Sequence, residues 1–210
     1  MSRPPKIIDR NGSASFGGSQ MWLPDKMLLN SGCGVIAGLD AIMRLKGEES
    51  LPKDDYINRF FDAKDYIRPI IVSKNREPRN IFGHEFLGSL GVSASRFKKG
   101  IKKLAAKEGL KIRLKPFRFK WWEKIPKYLE SGDPLVMLIT APFNNVTVVS
   151  PSGYKNMCGY HWVTITGIEG DTLKVSSWGW ECTMSIKELR RFNVILHFYS
   201  VSLENQGNLV

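Results

Sequence analysis

Asn30-Ser31-Gly32-Cys33-Gly34-Val35-Ile36-Ala37-Gly38-Leu39-Asp40-Ala41-Ile42-Met43-Arg44-Leu45 is the run from which the rest of the chain is best approached. Val35, Ile36, Leu39, Ile42 and Met43 recur at i, i+1, i+4, i+7 and i+8, the spacing of one buried helical face. The pattern predicts a helix to about Lys46, stopped by Gly47. Cys33 then lies in the first turn, where the positive end of the helix dipole and unpaired N–H groups both favour thiolate over thiol. Gly32 and Gly34 strip bulk from around the sulfur and let a substrate backbone approach. Far downstream, His161 heads the run His161-Trp162-Val163-Thr164-Ile165-Thr166-Gly167. A cysteine at a helix start and a histidine on a distant strand have the composition of a nucleophile and its base.

Around this run the first half reads as helical and the second as stranded. Ser50-Leu51-Pro52-Lys53-Asp54-Asp55 starts a second helix, with proline and acids where a helix start favours them and Tyr56, Phe60 and Phe61 as its buried face. A helical piece is expected around Glu85–Leu90, and Ser95 is expected to cap a basic helix that Gly109 ends. Lys111–Lys115 alternates as a strand, Trp121–Leu129 reads as a short helix, and Leu135–Thr140 as a buried strand. His161–Ile168 and Thr172–Ser176 form a hairpin through Glu169-Gly170-Asp171. Ser185 and Glu188 have the spacing of a capping box, and Phe192–Ser202 supplies a closing strand. The fold class is therefore α+β: a helical lobe over about 20–110 packed on an antiparallel lobe over about 111–203. A Gly/Ser-rich flexible segment, 1–19, precedes this single domain of 20–210.

Composition narrows the function classes. The 210 residues suffice for one well-buried core, and no apolar run approaches a membrane span. The opening residues lack a secretory signal, and Cys33, Cys158 and Cys182 are too few and too odd a set for a disulfide framework, so a cytoplasmic protein with reduced thiols is expected. From Arg96 to Lys127 there are thirteen Lys and Arg against Glu108 and Glu123, an excess equal to the net +11 of the whole chain. Phe97, Ile101, Leu104 and Ala105 form a helical stripe through that region, which leaves its lysines pointing to solvent. Solvation is the plain explanation of such a charge run; an acidic peptide partner or nucleic acid is the sharper one. Cys158-x-x-His161 has ligand-like spacing, but no second close pair completes a zinc shell, so no metal or other cofactor is expected. His84 and His197 are weaker bases than His161, the first in a loop-to-helix segment beside the Cys33 half and the second alternating within a strand. Trp121-Trp122, Trp178 and Trp180 read as core or lobe-interface filling, with a ligand cleft as their other use.

Several short motifs, in order, carry a resemblance. Gly32-Cys33-Gly34 opening a helix, Ile125–Val136 with its Gly132-Asp133-Pro134 turn, Tyr160–Ile168, and Ser176-Ser177-Trp178-Gly179 resemble papain-like cysteine peptidases of the C39-like group. The resemblance implies a papain-like fold, the cysteine-bearing helix packed on a β-sheet or half-barrel lobe, with Cys33 as nucleophile and His161 as general base. Where that family carries Asn or Asp to orient the imidazole, this chain has Ser176 beside Ser177, either of which can accept from the ring N–H without supplying charge. Glu181 is a conceivable substitute, although a solvated turn residue is the simpler reading. The family's oxyanion glutamine lies about six residues before the cysteine, where this chain has Met27; Gln20 and Asn30 are the alternatives, beside the Cys33 N–H itself. The expected activity is a thiol peptidase or related acyl hydrolase on a peptide or protein. A binding module of the same fold without turnover and a basic nucleic-acid-binding protein are the alternatives.

Overall fold

The structure, a computed structural model, describes residues 3–70, 79–81, 84–86, 90–117, 121–141, 146–191 and 194–204, with backbone alone for 79–81 and 84–86. Two short strands open it, β1 (Lys6–Ile8) and β2 (Ala14–Phe16), and β1 also pairs in parallel with β3 (Ser50–Pro52). The opening segment expected to be loop thus contributes to a three-stranded sheet. Its ladders are only three residues long, too short for periodicity to reveal, and buried Ile7 anchors them.

Next comes a 3-10 turn, Gln20–Trp22, and then α1 (Lys26–Ser31) and α2 (Cys33–Leu45). Asp25 caps α1 by accepting from Met27 N at 2.8 Å. Gly32 holds αR geometry between the two helices (φ −76°, ψ −11°), so α2 begins at Cys33 with no side-chain cap. The Cys33 helix ends at Lys46 and Gly47, the latter at φ +74°, as its sequence indicates. α3 (Lys53–Ala63) buries Tyr56 and Phe60.

Strands β4 (Arg79–Ile81) and β5 (His84–Phe86) pair as a hairpin, so Glu85 and Phe86 are extended rather than helical; 87–89 of that expected helix, and the side chain of His84, lie outside the described residues. α4 (Ala94–Lys107) is capped by Ser93, whose hydroxyl accepts from Arg96 N; the cap falls two residues before the expected Ser95, which lies inside the helix. α4 buries Phe97, Ile101, Leu104 and Ala105 and leaves Lys98, Lys99, Lys102 and Lys103 exposed.

The remaining elements are β6 (Ile112–Phe117), α5 (Trp121–Glu130), β7 (Leu135–Thr140), β8 (Val146–Val149), β9 (Lys155–Cys158), β10 (Tyr160–Glu169), β11 (Thr172–Ser177), β12 (Trp180–Ser185), α6 (Ile186–Leu189) and β13 (Ile195–Leu203). Their strands form one antiparallel sheet in the order β6-β13-β7-β10-β11-β12-β8-β9. The chain is α+β. Period-two alternation divides the core between the two faces of this sheet. Val136, Leu138, Trp162, Tyr199 and Val201 join the side chains of α2, α3 and α4, whereas Leu135, Met137, Ile139, Val163 and Phe198 join Ile125 of α5. Among the described residues strand β9 pairs with β8 alone, and the closing strand β13 lies inside the sheet rather than at its edge. Ser185 caps α6 by accepting from Glu188 N, but the Glu188 carboxylate accepts from Thr147 N and Thr147 Oγ1, tying α6 to β8. Among the described residues no helix is long and apolar enough to cross a membrane.

Candidate active site

Because α2 packs across β10, its first residue meets the start of that strand. Cys33 and His161 line one cavity, each 5% exposed, together with Gln20, Asp40, Ser177 and Trp178. The Cys33 sulfur is approached by the backbone N–H of Trp162, the residue after His161, and by those of Gly34 and Cys33 itself. The cavity has a volume of about 10 Å³, close to what a single water requires.

The imidazole is held on two sides. His161 Nε2 lies 2.7 Å from Ser177 Oγ, and the ring stacks on Trp178 at 4.6 Å between centroids. Trp178 and Gly179 form the two-residue turn between β11 and β12, with φ +51° and +82°, the paired positive values of a type I′ hairpin. An aromatic residue in that region is strained by about 1 kcal/mol or more, and the stack on His161 helps to offset it.

Of the two serines only Ser177 reaches the ring. Ser176 Oγ donates instead to Phe16 O at 2.7 Å, because adjacent residues on β11 point to opposite faces. Glu181, on β12 and exposed, accepts from Thr166 Oγ1 and has no part in orienting His161. Gln20 is buried in the 3-10 turn and lines the Cys33 cavity. Asn30, by contrast, is exposed on α1 and lines a neighbouring groove, and Met27 is half-buried against the core. His197 lies on β13 opposite Leu138, away from this cavity. Cys158 donates to Val146 O at 3.4 Å, and among the described residues no cluster of three ligating side chains could hold a metal.

Electrostatically the site departs from the expected thiolate. Burial raises the Cys33 thiol above its ordinary 9.0, although the N–H groups of Trp162, Gly34 and Cys33 act in the opposite direction. Burial likewise lowers His161 from 6.5 to about 4. At neutral pH the resting pair is thus thiol and neutral imidazole. The dipole at the helix start is present, but desolvation of a closed cavity outweighs it.

Asp40 is the participant that motif reasoning missed. It stands seven residues after Cys33, two turns along the same helical face, and is 2% exposed. Tyr56 Oη donates to Oδ1 at 2.7 Å, and Gly18 N donates to Oδ2 at 3.1 Å. Asp40 therefore fastens the loop that carries Gln20 to the helix that carries Cys33. There is no room for side chains in that loop: a Cβ on Gly17 would lie 2.6 Å from Asp40 Oδ2, and one on Gly18 would overlap Tyr56 Oη. The signal was available, since Asp40 is the lone acid in an otherwise apolar helix face. Burial pushes its carboxyl up from 3.8 to about 7, against the hydrogen bonds from Tyr56 and Gly18.

No family model, curated protein or solved structure matches this chain.

Proposed function

We propose that this chain is a papain-like cysteine peptidase or related thiol acyl hydrolase, with Cys33 as nucleophile and His161 as general base. The observation that supports it most is the convergence of Cys33, at the head of α2, with an imidazole that Ser177 holds by Nε2, in one cavity that Gln20 also lines. With Nε2 committed to Ser177, Nδ1 is the ring nitrogen left to accept the thiol proton.

The chemistry then runs in two halves. Cys33 Sγ bonds to the substrate carbonyl carbon as its proton moves to His161, and the carbonyl π electrons pass to oxygen. The Cys33 N–H and the Gln20 amide would stabilise that oxyanion. Collapse breaks the bond to the leaving nitrogen or oxygen, which takes the proton from the imidazolium and leaves a thioester. Water adds to the thioester carbonyl while His161 takes its proton; expulsion of sulfur, reprotonated from the ring, releases the acid. No cofactor enters this sequence. Starting from a neutral pair, proton transfer accompanies attack rather than preceding it.

The tightness of the cavity favours a second reading, a papain-like binding module without turnover. Thiol labelling separates the two. Iodoacetamide at pH 7 should modify Cys33 ahead of Cys158 and Cys182, because all three thiols are buried and Cys33 alone shares its cavity with an imidazole that can take the thiol proton. His161→Ala should slow Cys33 labelling about tenfold or more. Equal labelling of the three thiols, or a rate indifferent to His161, rejects the hydrolase and leaves the binder.

A further inference from the structure

Outside the closed cavity the surface opens into a groove of about 1050 Å³, to which the cavity is joined because Gln20 and Trp178 line both. One wall is built from Ile7 to Ser15 and from Met21 to Asn30; the other comes from the β8–β9 turn and the β11–β12 hairpin. Four large hydrophobic side chains in the described residues are more than half exposed: Met21 (59%), Trp180 (59%), Tyr154 (66%) and Met157 (66%). Three of them, all but Met157, line this groove. Concentrating such exposure in one concave surface marks a binding site rather than scattered surface apolarity.

The groove presents almost no charge. Its ionic residues are Asp9 and Lys53. Asp9 accepts from the backbone N–H groups of Asn11 and Ser13, both at 2.9 Å, and the Lys53 ammonium lies 4.9 Å above the Trp22 ring. The basic residues of α4 do not line it. Its outer wall includes Asn156 on β9, the last strand of the eight, whose outer edge pairs with no other strand among the described residues. An extended backbone can use such an edge while its side chains enter the groove.

We propose that this groove binds the leaving-group side of the substrate as an uncharged, extended peptide segment rich in aromatic and aliphatic side chains, with Trp180, Tyr154 and Met21 as its contacts. This assignment rests on the thiol-hydrolase reading for its direction. The group expelled from the thioester-forming step must lie within reach of the imidazole that protonates it, and Trp178, stacked on that imidazole, forms part of the groove. The partner is accordingly apolar, in place of the acidic one that net charge suggested.

The test measures binding apart from turnover. Two fluorescein-labelled octapeptides are titrated into the Cys33→Ala protein by fluorescence polarisation: Ser-Phe-Ser-Leu-Ser-Phe-Ser-Gly, and the same peptide with Glu in place of Phe and Leu. The apolar peptide should bind at least tenfold more tightly. Trp180→Ala and Tyr154→Ala, both on exposed residues that leave the core intact, should each weaken it at least fivefold, and in the Cys33-containing protein should leave iodoacetamide labelling of Cys33 unchanged. Equal or tighter binding of the acidic peptide overturns the proposal, as does apolar binding indifferent to both substitutions. Loss of a dimer on Trp180→Ala, seen by sedimentation at the same concentrations, overturns it in favour of a self-association surface. If Cys33 fails to label selectively while the apolar peptide still binds, the hydrolase reading fails and the groove stands; selective labelling without peptide binding is the reverse.

Discussion

Replacing Asp40 with Asn should make the protein more stable at alkaline pH and nearly unchanged in acid. Asp40 is buried, and its carboxyl is displaced from 3.8 to about 7 chiefly by burial. Between those values the unfolded chain has released a proton that the native chain still holds, so native stability falls as pH rises. The full displacement is worth about 4 kcal/mol, of which about 2.5 kcal/mol falls between pH 5 and pH 8. Asn fits the same contacts without ionising: its carbonyl can accept from Gly18 N, and its amide can donate to Tyr56 Oη, since a phenolic oxygen accepts as well as donates. His161 contributes an opposite slope, since its displacement from 6.5 to about 4 makes stability rise with pH across that interval. That slope is common to both proteins and cancels in their difference. Urea denaturation followed by tryptophan fluorescence at pH 5, 6, 7 and 8 and constant ionic strength reads the difference directly. A gap between Asp40→Asn and the parent that stays flat across this range, or that grows in favour of the parent, refutes the claim that burial makes ionisation of Asp40 costly.

Two further outcomes follow from the site. Ser177→Ala should lower Cys33 alkylation and any turnover about tenfold, about 1.4 kcal/mol for one orienting hydrogen bond, whereas Ser176→Ala, which loses only the bond to Phe16 O, should change the rate less than twofold; steady-state rates of the two variants at pH 7 decide it. Gly34→Ala would set a methyl 2.8 Å from Val92 Cβ and 3.0 Å from Trp162 Cδ1, so a loss of about 1–3 kcal/mol in urea stability is expected, and parental stability would show that these walls yield.

The Cys33 helix was legible because its signals are local: a 3.6-residue apolar period, two glycines about Cys33, and a stop at Gly47. The β10–β11 hairpin was legible for the same reason, with Gly170 at φ +54° in its turn. What escaped depended on register and burial. Ser176 and Ser177 are equivalent in the sequence, and only the pairing of β11 with β10, irregular between Ile165 and Gly167, turns Ser177 toward His161. The dipole at Cys33 is a local property, but the cavity walls that desolvate it include His161, Trp162 and Trp178, which are distant in sequence. Strand β12 alternates enough to have been found, since Cys182 and Met184 are buried while Glu181 and Ser185 are exposed and Thr183 is half-buried; β9, with Lys155 and Asn156 leading, is too short and polar. For Trp180 the sequence leaves core or interface filling and a ligand cleft both open, because size alone does not reveal exposure.

The place of β13 between β6 and β7 has a consequence for biosynthesis. Residues 195–203 pair with 112–117 on one side and 135–140 on the other, so neither flanking strand has its central partner until nearly all of the described chain has been translated. While that stretch is still in the ribosomal exit tunnel, β6 and β7 present unpaired edges and the aromatic surface that Phe198 and Tyr199 later cover. Completion of the sheet therefore waits until residues 195–203 have left the tunnel, and a nascent chain stalled before residue 195 is a natural client for a holdase that shields apolar strands.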